Sequence, residues 1–375
     1  MKRSLAGLEL ALARVRRRVQ YFRQPFSAIA LDWRSPRLPL LVGGALLGGS
    51  LIAASASWLM ARDVPYVHAA LPVILGAVPL PGSGQAGPPE RLGLLGPATP
   101  PPSSLVRADP LAPPIEAEPE LIEVADGLRL PRIADDGRRS YTAYARADDA
   151  AATGGAAAID VAILVTDLGL DAERLTQSMA LPADIGLAQT PYGAYLADWQ
   201  RHARRLGHEV LLELPLQAAD HPVSDLGPLA LGPVQAPAEL IDGTRRIAAR
   251  SEAFLGFVAA SGAFGAAPER FSPVAVELAR RGLGLVELGE PLLAATARAN
   301  GVAYANAKGP LDAVPDAAAI DAALLRLEDV ARRDGRALAY VQPYPLTFDR
   351  IWHWAQDLED RGMRLVPVSR FLAEP

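Results

Sequence analysis

Two carboxylates, Asp167 and Glu213, stand where acid–base chemistry or weak binding of a hard cation could occur. Asp167 follows an apolar run that starts at Ile159, and Glu213 lies near the end of a second apolar run. Such runs predict strands that are buried on both faces. In α/β and barrel enzymes, side chains at the carboxyl ends of parallel strands carry the chemistry. The two carboxylates are therefore the candidate catalytic pair, and they could act as acid and base on a glycosidic bond.

A simpler role for Asp167 is equally open. Gly169 allows the backbone to turn, a helical pattern starts at Leu170, and an aspartate just before a helix is a common N-cap. The spacing along the chain does not decide between these roles. It also does not fix the distance between the two carboxyl groups.

The elements that must position these side chains alternate between strands and helices from residue 159 onward. This alternation predicts parallel strands with helical crossovers, and about eight strands in this length fit a small or incomplete (β/α) barrel. No glycine-rich phosphate loop follows a strand, which argues against a nucleotide cofactor. The predicted strands cover residues 159–169, 185–190, 208–215, 254–260, 284–288, 302–306, 338–342 and 364–368; the predicted helices cover residues 170–180, 195–206, 237–250, 273–281, 317–333 and 346–360.

Composition narrows the functional classes. The chain has 375 residues, a net charge of -5 and no cysteine. That charge gives no reason to expect nucleic-acid binding, and the lack of cysteine excludes disulfides, thiol catalysis and cysteine-bound zinc.

The amino-terminal part predicts a membrane anchor. Residues 1–37 are basic, and residues 38–61 carry no charged side chain and are long enough to span a bilayer as a helix. The positive charge before this span predicts a cytoplasmic amino terminus and an extracytoplasmic, periplasmic remainder, as in a single-pass inner (cytoplasmic) membrane protein. A cleavable signal peptide is the rival interpretation, because Ala54-Ser-Ala56 resembles a cleavage site. The long leading segment favours the uncleaved anchor.

Residues 62–124 are rich in proline, alanine and glycine, which predicts a disordered linker that holds a domain away from the membrane. Residues 125–158 contain turn signals beside short apolar pieces and are predicted to form an arm that leads into the folded domain, residues 159–375.

Several motifs, in this order along the chain, resemble the divergent polysaccharide deacetylase family of the NodB-like superfamily. The resemblance implies an α/β fold of the NodB-like distorted (β/α) barrel type, a place in carbohydrate metabolism and a location in the cell envelope. The motifs are Val165-Thr-Asp-Leu-Gly169, Gly207-His-Glu-Val-Leu-Leu-Glu-Leu-Pro215, Asp225-Leu-Gly-Pro-Leu-Ala-Leu231, Arg281-Gly-Leu283, Pro343-Tyr-Pro345 and Leu365-Val-Pro-Val-Ser369.

The resemblance also implies a divalent metal such as zinc, which would polarise an amide carbonyl and activate a water. Members that look active carry an Asp-Asp pair where this chain has Thr166-Asp167. His208 occupies the family's Gly-His-Glu position, but a segment that carries Asn-His in the family has no histidine here, and a His-Pro-Tyr-Pro segment begins with Gln342. Asp167 and His208 therefore form an incomplete candidate metal set, and no cofactor is certain.

Three functions remain open. The first is a glycan-binding member that has lost catalysis, with a groove lined by Asp167, Glu213, Gln189, Tyr192, Gln342 and Tyr344. The second is an active metal-dependent deacetylase, and the third is a non-catalytic envelope tether. The expected partners are the membrane and an envelope glycan, either peptidoglycan or another N-acetylated polysaccharide, and no nucleic acid.

Overall fold

A computed structural model describes residues 112–147 and 158–373 of the chain. The predicted cytoplasmic segment 1–37, the predicted span 38–61 and residues 62–111 of the predicted linker lie outside the described residues. Among the helices that the structure does describe, none is both long and apolar enough to cross a bilayer. Residues 112–124, which the sequence assigned to the linker, contain a strand and the fully buried Leu121.

The described residues contain a short hairpin followed by strands and helices in alternation. The strands are β1 (Ile122–Ala125), β2 (Leu128–Pro131), β3 (Ile159–Leu168), β4 (Gly186–Gln189), β5 (Val210–Glu213), β6 (Gly256–Ala260), β7 (Gly284–Leu288), β8 (Tyr304–Ala307), β9 (Arg336–Val341) and β10 (Met363–Leu365). The α-helices are α1 (Ser140–Ala143), α2 (Ala172–Ser178), α3 (Leu196–Arg205), α4 (Pro237–Ala248), α5 (Ser272–Arg280), α6 (Ala294–Ala299), α7 (Ala317–Asp334) and α8 (Pro345–Gln356).

Strands β3 to β9 form a parallel, nearly closed barrel. Their order is β3-β4-β5-β6-β7-β8, and β9 pairs with the other edge of β3. Between β8 and β9, the backbone N–H of Lys308 donates to the Leu338 carbonyl at 2.9 Å, and the N–H of Tyr340 donates to the Lys308 carbonyl at 2.9 Å. Short β10 pairs in parallel with the first residues of β3. The predicted α/β barrel architecture is thus confirmed, and it is consistent with a NodB-like (β/α) barrel.

The long apolar run explains why β3 is the central strand. Residues 161–165 are all buried. Val161, Ile163 and Val165 pack against the surrounding helices. Ala162 and Leu164 face the barrel interior, where they pack with other small and aliphatic side chains. A strand covered on both faces needs apolar residues at consecutive positions, which is the pattern in the sequence.

The hairpin β1–β2 and the residues around it are fixed to the barrel by buried arginines. Asp126 and Gly127 form the connecting turn with φ angles of 53° and 76°, as the twist of a two-residue hairpin requires. Arg281, 1% exposed, donates to Glu123 Oε1 at 3.0 Å and to the Pro131 carbonyl at 2.9 Å. The arm is therefore packed onto the barrel.

Candidate functional site

Asp167 sits on a β-bulge at the carboxyl end of β3. Val165 pairs with Leu187 of β4, but the next pair joins Leu168 to Gln189, so β3 has one extra residue there. Asp167 takes up this extra length with a φ of 58°, a left-handed conformation that aspartate tolerates better than most residues. The bulge removes Asp167 from the ladder and leaves its side chain exposed at the barrel mouth.

Glu213 reaches the same place from β5. On this strand Leu211 faces the barrel interior and Leu212 faces the helices, so Glu213 again points inward, at the mouth. The backbone N–H of Asp167 donates to Glu213 Oε1 at 2.5 Å. The hydroxyl of Thr166 lies 3.1 Å from Asp167 Oδ2 and 3.2 Å from the Val341 carbonyl. The structure therefore brings together the two carboxylates that the sequence paired.

The two acids have different environments. Burial, and then the negative charge of Asp167, raise the pKa of Glu213 from 4.5 to about 8, and the hydrogen bond from the Asp167 N–H opposes this only in part. At neutral pH Glu213 is therefore mostly a neutral carboxylic acid, which can donate a hydrogen bond. Side by side at the mouth stand an exposed aspartate and a protonated glutamic acid.

Asp167 does not cap the following helix. The side chain of Asp171 does so, because its Oδ1 accepts from the N–H groups of Glu173 at 2.9 Å and Arg174 at 3.3 Å. The interpretation of Asp167 as a helix cap is therefore wrong, and the bulge is the feature that sets its position.

Two further residues at the mouth were missed by the sequence analysis. Tyr340 of β9 packs against the apolar side chains of the barrel interior. Its burial is the main cause that raises its pKa, and the negative charges of Asp167 and Asp312 add to the effect. Asp312, 1% exposed, accepts from the N–H of Gln342 at 3.0 and 3.1 Å and from the hydroxyl of Thr347 at 2.8 Å. Tyr340 could have been found from the strand alternation, since it lies two residues before Gln342. Asp312 gave no local signal, because its partners are thirty or more positions away.

The predicted substrate-binding residues divide into two pairs. Gln342 and Tyr344 follow β9 at the mouth and are both partly exposed, and Arg174 lies over the Tyr344 ring at 5.6 Å, so one ring face is already covered. Gln189 has no exposed surface. Its side chain points to the helix-covered outer face of the barrel, as that of Leu187 does, so it has no direct contact with a ligand at the mouth. Tyr192 uses its hydroxyl to bind the loop after β5, donating to the Leu226 carbonyl at 2.7 Å and accepting from the Leu229 N–H at 3.0 Å.

His208 lies at the opposite end of the barrel from Asp167. It precedes β5, and the parallel strands place the start of β5 far from the end of β3. Its ring is 1% exposed, with Nδ1 at 2.9 Å from the Ile185 carbonyl and Nε2 at 3.3 Å from the Met179 carbonyl. The expectation that His208 and Asp167 share a metal is therefore not supported, because the two residues lie at opposite ends of the barrel. The imidazole instead hydrogen-bonds to backbone carbonyls of the segment before β4.

The sequence of the barrel identifies its family. Residues 163–372, more than half of the chain, match the sequence profile of the divergent polysaccharide deacetylases. The chain belongs to the divergent polysaccharide deacetylase family. Membership supports a carbohydrate-related function, and for this family the substrate it suggests is an N-acetylated polysaccharide.

Solved structures include a similar protein without a known function. An uncharacterized protein, ATU2773, from Agrobacterium tumefaciens C58 is 29% identical, with a TM-score of 0.61 over 65% of this chain and 99% of its own. The catalytic module of a family 98 glycoside hydrolase from Streptococcus pneumoniae TIGR4 is 11% identical, with a TM-score of 0.24 over 43% of this chain and 34% of its own. A putative fructose-1,6-biphosphate aldolase from Coccidioides immitis is 16% identical, with a TM-score of 0.26 over 50% of this chain and 73% of its own. TM-scores of 0.24 and 0.26 support no inference. No curated protein matches the chain.

The residues at the mouth of this divergent polysaccharide deacetylase do not fit a catalytic zinc site. Such a site takes three protein ligands from histidine and carboxylate side chains. Within residues 112–147 and 158–373, no group of three or more His, Cys, Asp or Glu side chains is arranged to hold a metal ion. Among the carboxyl groups at the mouth, that of Glu213 would also have to lose a proton before it could coordinate a cation.

Proposed function

We propose that this protein is a glycan-binding member of its family that holds an N-acetylated envelope polysaccharide at the barrel mouth without hydrolysing it. The observation that supports this most directly is that Asp167 and Glu213 meet at the mouth while His208 is fixed at the other end of the barrel. A pair of adjoining carboxyl groups that His208 does not join suits hydrogen bonding better than metal-assisted hydrolysis.

The chemistry of the mouth matches an acetamido sugar. The ionised carboxylate of Asp167 accepts hydrogen bonds, for example from an amide N–H or a sugar hydroxyl. The neutral carboxylic acid of Glu213 and the phenol of Tyr340 can donate to a carbonyl or hydroxyl oxygen. Since Glu213 Oε1 already accepts from the Asp167 N–H, its other oxygen is the one that serves the ligand.

Location is part of the same proposal. The basic segment 1–37 and the uncharged span 38–61 would anchor the protein in the inner membrane with its amino terminus in the cytoplasm. The proline-rich residues that follow would then hold the barrel in the periplasm, within reach of peptidoglycan or another N-acetylated polysaccharide.

An active metal-dependent deacetylase is the second candidate, and the geometry of Asp167 favours it. A non-glycine residue with a φ of 58°, beside a glutamate whose pKa is raised, is the kind of strained and perturbed pair that is common at active sites. Activity would require ligands beyond those that the described residues bring to the mouth.

The test uses the purified full chain. We expect calorimetry to detect binding of N-acetylglucosamine oligomers, Asp167→Asn to weaken it about tenfold, and the protein to release no acetate and hold no stoichiometric zinc after dialysis. Asp329→Asn, which changes an exposed aspartate on α7, is the matched control and should bind as the wild type does.

Each other outcome points to a different function. Stoichiometric metal together with acetate release, both lost in Asp167→Asn, would identify an active deacetylase. A chain that neither binds the oligomers nor is retained on peptidoglycan would instead favour the tethering function.

A further inference from the structure

A second cleft lies at the amino-terminal end of the barrel, away from the mouth. It has a volume of about 360 Å³, within the range of small-ligand sites. Pro182 and Asp184 line it from the loop before β4, and the carboxyl end of α8 and the residues after it line the other side. Because the strands are parallel, the start of β4 and the mouth are at opposite ends. This cleft is therefore separate from the site of Asp167 and Glu213.

The cleft presents a half-exposed tryptophan. Trp352 of α8 is 44% exposed, whereas the other tryptophans that the structure describes, Trp199 and Trp354, are 4% and 8% exposed. An indole that lines a cleft offers a ligand a large apolar face together with an N–H donor. Its flat apolar face can lie against the C–H face of a sugar ring.

Polar groups beside Trp352 complete the match to a sugar. Gln356 and Glu359 line the same cleft from exposed positions; the amide of Gln356 can both donate and accept hydrogen bonds with hydroxyl groups, and the carboxylate of Glu359 accepts them. Asp184 adds a carboxylate that is itself held by Arg146 at 3.3 Å. The apolar floor comes from Pro182, Leu358 and Leu365.

From this arrangement we infer that the Trp352 cleft is a second saccharide-binding site, which stacks one sugar ring on the indole and hydrogen-bonds its polar groups to Gln356 and Glu359. The carboxylate of Glu359 favours a sugar with a free, positively charged amino group over its N-acetylated form, whereas the charge of Asp184 is offset by Arg146. The inference goes beyond the proposed function, since it needs no ligand at the mouth. A protein bearing both sites would hold a glycan strand at each end of the barrel.

The experiment measures binding of three hexasaccharides to the full chain by calorimetry: a glucosamine, an N-acetylglucosamine and a glucose oligomer. Asp167→Asn serves as the background, so that binding at the mouth is weakened. We expect the glucosamine oligomer to bind most tightly. Trp352→Ala should weaken its binding about tenfold, and Trp352→Phe should restore most of it, because phenylalanine keeps an aromatic face.

Two further variants make the result specific. Glu359→Gln should remove the preference for the glucosamine oligomer while retaining binding of the glucose oligomer. Leu325→Ala, which truncates an exposed apolar side chain on α7 outside the cleft, should bind as the background does. Circular dichroism spectra that match the background exclude misfolding as the cause of any loss.

Binding unchanged in Trp352→Ala, an equal loss in Leu325→Ala, or no binding of any of the three oligomers would overturn the inference. The proposed function at the mouth is judged separately, by the effect of Asp167→Asn on the N-acetylglucosamine oligomer with Trp352 intact.

Discussion

Replacing Glu213 with glutamine should change how stability depends on pH. The pKa of Glu213 is about 8 in the folded chain and 4.5 as its ordinary value, so the folded state holds this proton more tightly than the unfolded state. The contribution of Glu213 to the free energy of unfolding is therefore largest below about pH 4.5, and it is lost as the pH rises through about 8. Glutamine can still accept the hydrogen bond from the Asp167 N–H, but it does not titrate.

The size of the effect follows from the two pKa values. A difference of about 3.5 pH units at about 1.36 kcal/mol per unit is roughly 5 kcal/mol, of which about 4 kcal/mol falls between pH 5 and pH 9. Glu213 is partly exposed, and solvent screening lowers this figure. Between pH 5 and pH 9 we therefore expect the free energy of unfolding of Glu213→Gln to rise by about 2–4 kcal/mol relative to that of the wild type.

The assay is urea unfolding of the purified chain, followed by circular dichroism at several pH values between 5 and 9. Glu269→Gln, a change at an exposed glutamate, is the control and should follow the wild-type profile. Asp167→Asn should make the loss of stability smaller and complete it at a lower pH, because it removes the second cause of the raised pKa of Glu213. A free-energy difference between wild type and Glu213→Gln that is constant with pH would refute the reasoning.

Two further variants test how the backbone and the arm are held. Asp167→Gly should be about 1 kcal/mol more stable than Asp167→Ala in urea unfolding, because both remove the carboxylate but only glycine adopts a φ of 58° without strain; equal stabilities would contradict a strained bulge. Arg281→Met should lower the free energy of unfolding by about 3 kcal/mol, because it leaves buried acceptors of the arm unpaired. Arg280→Met, at a neighbouring half-exposed arginine that also contacts Glu277, should lower it by less than about 1 kcal/mol, and similar losses in both would mean that burial is not what matters.

The sequence predicted best those elements whose pattern is local. The strand predicted at residues 284–288 is β7, and the helix predicted at residues 317–333 is α7 with one further residue. Helix α6 was not predicted, because its six alanine-rich residues have no apolar periodicity. The hairpin β1–β2 was recognised only as turn signals in the arm, since its position depends on packing of β2 against α4 and on the contact of Glu123 with Arg281.

The same distinction holds at the candidate site. Asp167 and Glu213 were found because each stands at the end of a strand, which is visible along the chain. Their contact could not be predicted, because it depends on a bulge that places the Asp167 N–H at Glu213 Oε1 across the intervening strand β4. Gln189 points to the outside of the barrel by the alternation along β4, where Leu187 faces the helices and Ala188 faces the interior.

Thr166 places a neutral hydroxyl beside the carboxylate of Asp167 at the mouth. A carboxylate at this position would bring a second negative charge close to Asp167 and to the Val341 carbonyl oxygen, which would be repulsive. The neutral hydroxyl of Thr166 instead lies within hydrogen-bond distance of Asp167 Oδ2. Protonation of Glu213 removes the remaining repulsion at neutral pH. The threonine and the raised pKa thus act in the same direction, because the neutral hydroxyl and the retained proton each limit the negative charge that Asp167 faces.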